Sequence, residues 1–102
     1  SKSKKYLTAL FVKDLNIAIN NFTKHYNTKK ISNNVQEVII EMIFQLGIKK
    51  VLKFYKFNKY IKNNQFYMAA LEMIDSRWYT QTPTRTNLLI TTMLYDNDRR
   101  KK

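Results

Sequence analysis

A single glycine, Gly47, and a single proline, Pro83, in 102 residues constrain this chain more than any other feature. β-Hairpins consume glycine, asparagine and proline at fixed turn positions, and a sandwich needs a turn signal about every 8–12 residues. A chain this poor in both is predicted to be all-α. With 44% hydrophobic and 14% aromatic residues it can fill one core. The expectation is one helical domain over residues 1–102, a compact bundle of about six to seven helices led by a long N-terminal one.

The hydrophobic periodicity sets out the elements. Leu7, Leu10, Phe11, Leu15, Ala18, Ile19 and Phe22 fall three or four apart and predict one long helix over about residues 4–25. A polar stretch, Asn27 to Asn34, separates it from Val35, Val38, Ile39, Met42, Ile43 and Leu46, the strongest amphipathic repeat, which Gly47 is placed to stop. This second helix opens a helical lobe over about residues 33–95. Lysines at 50, 53, 56, 59 and 62 then interleave with apolar residues. A spacing of three drifts around an α-helix, so a break near Lys53–Tyr55 into two short helices is expected. Asn64 is read as the cap of a helix whose inward positions are Phe66, Ala69, Ala70, Met73 and Ile74. Ser76 to Gln81 reads as a turn. Thr82 and Pro83 then supply a side-chain cap and a first-turn proline for a last helix through Leu88, Leu89, Thr92 and Met93. Residues 96–102 form a frayed basic tail.

Composition removes several chemistries. The absence of cysteine excludes disulfides, a thiolate nucleophile and Cys-ligated zinc, and the one histidine, His25, cannot build a metal site unaided. No metal and no cofactor are expected. No apolar run is long enough to cross a bilayer, so a soluble chain without membrane insertion is expected. Nineteen Lys and Arg against seven Asp and Glu give a formal charge of +12. That charge favours a polyanionic partner: nucleic acid, an anionic bacterial wall or acidic lipid. Scattered lysines that merely solvate helix surfaces explain it equally well.

The segment Ser76-Arg77-Trp78-Tyr79-Thr80-Gln81-Thr82-Pro83-Thr84-Arg85, followed by Leu89-Ile90-Thr91-Thr92, resembles the SRWYxQTPxR and xITT signature of T-even phage lysozymes. Upstream, Met42-Ile43-Phe44-Gln45-Leu46-Gly47 resembles that family's MxFQxG helix end. Ala9 to Leu15 resembles the start of the long helix joining its two lobes. The resemblance is dense from Val35 to Thr92. It implies the helical C-terminal lobe of a peptidoglycan-degrading muramidase, cofactor-free, phage-encoded, and acting in the host cytoplasm or periplasm or on the virion. Glycoside hydrolysis needs a protonated acid for the leaving oxygen and a second carboxylate, or a water it positions, on the other face of the sugar. In this family those groups belong to the small N-terminal lobe, for which the residues before Tyr6 leave no room. The chain is therefore expected to carry no catalytic residue and to be inactive alone, with peptidoglycan as ligand and a separate catalytic lobe, a protein partner or a second copy as partner.

The resemblance also assigns residues. Phe44 and Gln45 match positions lining the cleft, and Arg77 and Trp78 match a turn near its mouth. For Trp78 the competing reading is a core anchor, and for Gln45 a helix C-terminal cap. Arg85 matches the arginine that reaches the catalytic acid from the helical lobe. Two departures surround it: Glu41 stands where the T-even enzymes have Asn, and Leu88 where they have a basic residue. Glu41 is expected to pair with Arg85 within this lobe, replacing the cross-lobe contact. Glu37 and Glu41, one turn apart, are close enough for a retaining carboxylate pair, although two Glu on one helix are more often a solvated face. Two other functions compete: a non-catalytic, lysozyme-derived binding or virion-associated module, and nucleic-acid binding through the Lys-aromatic segment 49–62.

Overall fold

The computed structural model describes the backbone of residues 2–101 and the side chains of residues 11–95. Seven helices follow in order: α1 (Lys2–His25), α2 (Asn33–Leu46), α3 (Ile48–Leu52), α4 (Tyr55–Lys62), α5 (Phe66–Ile74), α6 (Arg77–Gln81) and α7 (Pro83–Lys101), with no strand among the described residues. The all-α expectation holds. So does the break in the lysine-rich segment, which falls at Lys53 and Phe54 between α3 and α4.

Helix α2 is the centre. Its row Val35, Val38, Ile39, Met42 and Ile43 is buried, each side chain contributing about 1.5–3 kcal/mol relative to exposure. It packs against α1 on one side and α7 on the other, while α5 joins α4 to α7. From α1, Ala18 and Phe22 are buried, Leu15 and Ile19 are half-buried and Phe11 is 51% exposed. The predicted stripe positions Leu7 and Leu10 lie outside the described side chains.

Several expectations need correction. Asn64 does not cap α5. It adopts φ 58° just past the end of α4, where its N–H donates to Ile61 O and the Gln65 N–H donates to Tyr60 O, the paired closure of a Schellman motif. Gln65 is the residue before α5. Ile74 is 45% exposed because it continues the outer row Tyr67–Leu71, not the buried row Phe66, Ala69, Ala70, Met73. The segment read as a turn is the helix α6, capped by Ser76, whose Oγ accepts from the Tyr79 N–H at 3.2 Å. In α7 the buried row is Thr86, Ile90 and Met93, and Leu88 is 65% exposed. Thr86 can be buried because its hydroxyl donates to Thr82 O at 2.7 Å. The Thr82 hydroxyl bonds Trp78 O and the Thr86 hydroxyl, so it does not serve as the predicted cap. The backbone of α7 runs on to Lys101, through the stretch expected to fray. The side chains of that tail lie outside the described residues.

One half-buried polar contact ties the end of α1 to the α3–α4 corner. The Tyr26 ring stacks on Phe22, with centroids 5.3 Å apart and planes 14° apart. Its hydroxyl donates to Asn58 Oδ1, and Asn58 Nδ2 donates to Val51 O and Phe54 O, adding a side-chain donor to carbonyls that already accept the Phe54 and Asn58 backbone N–H groups at the helix break. Burial pushes the Tyr26 hydroxyl up from 10.0 to about 12, since the phenolate is the form that loses solvation. Below pH 10 the phenol is neutral in both folded and unfolded chains and this contribution to stability is complete. It is lost as pH rises from about 10 through about 12, where only the unfolded chain ionises freely. A spectrophotometric titration should show a late tyrosine step near pH 12 that Tyr26→Phe deletes. A titration that Tyr26→Phe leaves unchanged near pH 12 would contradict this contact.

Candidate functional site

The end of α2 carries the residues singled out from sequence. Glu41 and Gln45 stand one turn apart and so share a face. Gly47 ends the helix immediately beyond them at φ 89°, with its N–H on Ile43 O at 2.8 Å. Helix α6 abuts that face with Trp78, and the first turn of α7 brings Arg85 to it. The result is a continuous polar string. Arg85 Nη2 donates to Glu41 Oε1 at 2.6 Å, Gln45 Nε2 donates to the same oxygen at 3.1 Å, and Trp78 Nε1 donates to Gln45 Oε1 at 3.2 Å.

The pairing expected between Glu41 and Arg85 is thus present, across 44 residues of sequence. Arg85 is half exposed and Glu41 more covered, with side-chain exposures of 57% and 29%. Arg85 sits at the positive end of the α7 dipole, an unfavourable place that the Glu41 carboxylate offsets. Because the pair faces solvent, its net coupling should be small. A double-mutant cycle on Glu41→Ala and Arg85→Ala is expected to give about 0.2–1 kcal/mol. A coupling of zero would mean that the contact does not persist in solution.

Trp78 is 5% exposed, so it offers no face to a ligand. The burial matches the competing reading of a core anchor: the indole is a core side chain whose N–H holds the Gln45 amide. Gln45 is not a C-terminal cap, since both amide atoms are engaged by side chains. One amide hydrogen and one carbonyl lone pair nevertheless remain for an outside partner. Phe44 is half-buried and meets Phe11 edge to face, with centroids 5.3 Å apart and planes at 65°. Arg77 is exposed at the start of α6. Structure therefore brings Glu41, Gln45, Trp78 and Arg85 into one string and leaves Phe44 and Arg77 beside it.

Beside this string lies a groove of about 420 Å³ between α1, α2 and α7, lined by the apolar Leu15, Ile19, Val38, Ile40 and Leu89 together with Glu37 and Glu41. Val12 and Leu88, 48% and 65% exposed, leave further apolar surface on α1 and α7. Among the described residues no three His, Asp or Glu side chains gather as metal-ion donors, and no helix is long and apolar enough to cross a membrane.

Sequence reasoning missed the Gln45–Trp78 bond and the Tyr26–Asn58 contact. Asn58 had a usable signal: it interrupts the inward row Phe54, Asn58, Ile61 at helical spacing, where an amide must find partners.

No protein-family model matches the chain. Two curated proteins of Dictyostelium discoideum do, named "Probable T4-type lysozyme 2" and "Probable T4-type lysozyme 1", each 37% identical over 86 residues. The matches cover 80% of this chain and 51% of either relative, so the chain spans about half the length of the curated relatives it matches. That identity, over most of a chain whose described residues form helices alone, supports a T4-lysozyme-like family for the protein.

Proposed function

We propose that this chain is the helical lobe of a peptidoglycan-degrading lysozyme and forms one wall of its glycan cleft. In this reading residues 1–102 act as one domain, with Gln45, Phe44 and Arg77 toward the glycan. The observation that carries it is the held Gln45 amide. Trp78 fixes its oxygen and Glu41 its nitrogen, so the remaining donor and acceptor are pre-oriented for a sugar hydroxyl or acetamido group, which lowers the ordering cost of binding. The acid and second carboxylate of glycoside hydrolysis would come from a partner lobe. The groove between α1, α2 and α7, with Phe11, Val12 and Leu88 at its margins, supplies the apolar surface such a lobe would cover.

A second reading is a non-catalytic wall-binding module. The Glu41–Arg85 pair favours it, because Arg85 finds its carboxylate within the lobe.

One experiment tests both. The purified chain is mixed with peptidoglycan, and co-sedimentation and release of reducing sugar are measured. The assay is repeated with the chain joined to the half of a Dictyostelium relative that it does not match. Binding without turnover is expected from the chain alone, weakened by Gln45→Ala, with turnover on joining. Turnover by the chain alone would overturn the lobe reading. Binding that never becomes turnover would leave the module.

A further inference from the structure

The positive charge of this protein is sorted along the chain and then gathered by the fold. Between Asp14 and Glu37, and again between Glu41 and Glu72, the sequence has no acidic residue but nine lysines, all exposed. The ion pair found among the described residues, Arg85–Glu41, lies outside both stretches. The end of α1 with its following loop comes from the first stretch, and α3 and α4 from the second. They meet around a concavity of about 630 Å³. Three basic side chains, His25, Lys30 and Lys62, and three amides, Asn27, Asn63 and Asn64, contribute to its lining, with no carboxylate among the lining residues. Its volume lies within the roughly 300–1,000 Å³ of small-ligand sites.

This site is separate from the wall built on Gln45. Phe11 marks the Phe44 end of α1 and His25 the other, fourteen residues or about 21 Å along the helix. Part of its charge has a local use: Lys24 and His25 end α1, and Lys59 and Lys62 end α4, where cations offset the helix dipole. Lys30 ends no helix. Of the four amides in the lining, Asn58 is committed to Tyr26, Val51 O and Phe54 O, and Asn27 Oδ1 accepts from the Lys29 N–H at 3.1 Å, so the Asn27 Nδ2 and the Asn63 and Asn64 side chains are the amides a ligand could use.

We propose that this concavity binds an anionic sugar or polyol segment of a surface glycopolymer, with Lys30 and Lys62 on the charged group and the Asn27, Asn63 and Asn64 amides on hydroxyls. Amides that donate and accept match hydroxyls, and lysines match phosphate or carboxylate as point charges. A nucleic acid fits less well. Of the two rings in the lining, Tyr26 has one face covered by Phe22 and its hydroxyl committed to Asn58, which leaves the small His25 imidazole as the main stacking surface for a base.

The test is calorimetric titration of the whole chain with poly(glycerol phosphate), with a single-stranded oligonucleotide of equal charge as competitor. Lys30→Gln with Lys62→Gln is compared with Lys13→Gln plus Lys56→Gln, an equal loss of charge elsewhere. The pocket pair should weaken binding about tenfold or more and the control pair about threefold or less, beyond what diffuse attraction explains. Equal losses for both pairs would overturn the proposal, as would tighter binding of the oligonucleotide with the same dependence on Lys30 and Lys62. Gln45→Ala should leave poly(glycerol phosphate) binding unchanged. Loss of binding in that variant would assign it to the cleft wall instead and remove the second site, so failure here is distinguishable from failure of the cleft reading.

Discussion

Phe22→Ala is expected to destabilise the fold by about 3–5 kcal/mol, the range for removing a buried aromatic ring. Phe22 is 1% exposed, and among the described side chains of α1 only it and the small Ala18 are buried. Attachment of this long helix to α2 therefore depends largely on one ring. Its loss also unstacks Tyr26, whose hydroxyl ties the end of α1 to Asn58. At about 4 °C or more per kcal/mol for a domain of this size, the melting temperature should fall by well over 10 °C. The urea midpoint should fall with little change in slope. Ile17→Ala on the same helix, where the side chain is 49% exposed, should cost about 0.5 kcal/mol or less. Equal effects from the two would show that α1 is not docked as described. The consequence reaches the site, because a loosened α1 withdraws Phe11 from Phe44.

How far such features can be read from sequence depends on how local their cause is. Helix α2 and its stop at Gly47 were legible because five buried residues repeat at helical spacing and one glycine follows. The α3–α4 break was legible because lysines three apart cannot share a face with their apolar neighbours. Helix α6 was not: five residues are too few to show a period, and its start depends on the Ser76 hydroxyl reaching the Tyr79 N–H. Asn64 was misread because asparagine suits both an N-cap and a left-handed closure, and only the course of the chain decides. Thr86 was overlooked as a core position because its hydroxyl is satisfied one turn back, which composition does not reveal. Within the site, the Glu41–Arg85 pair could be foreseen only through the resemblance, since 44 residues of sequence separate the two. The Gln45–Trp78 bond could not, since it follows from how α6 is set against α2.

Gly47→Ala is expected to cost about 1–3 kcal/mol, and the reason is purely one of backbone. At φ 89° and ψ 150° Gly47 occupies a region open to glycine and closed to residues with a Cβ. A Cβ built there meets nothing within 4 Å, so no clash contributes. Relief can come only if the junction between α2 and α3 re-forms, and that junction holds Phe44 and Gln45 at the end of α2. Asparagine provides the control. It tolerates the left-handed helical region but not the extended positive-φ region of Gly47, so Gly47→Asn should be nearly as damaging as alanine. At residue 64, where φ is 58°, Asn64→Gly should be neutral or stabilising and Asn64→Ala should cost about 1 kcal/mol. Thermal unfolding of the four variants separates the cases. Rescue by Gly47→Asn would place residue 47 in the left-handed helical region and would rotate the chain leaving α2, moving α3 away from the course it takes beyond Phe44 and Gln45.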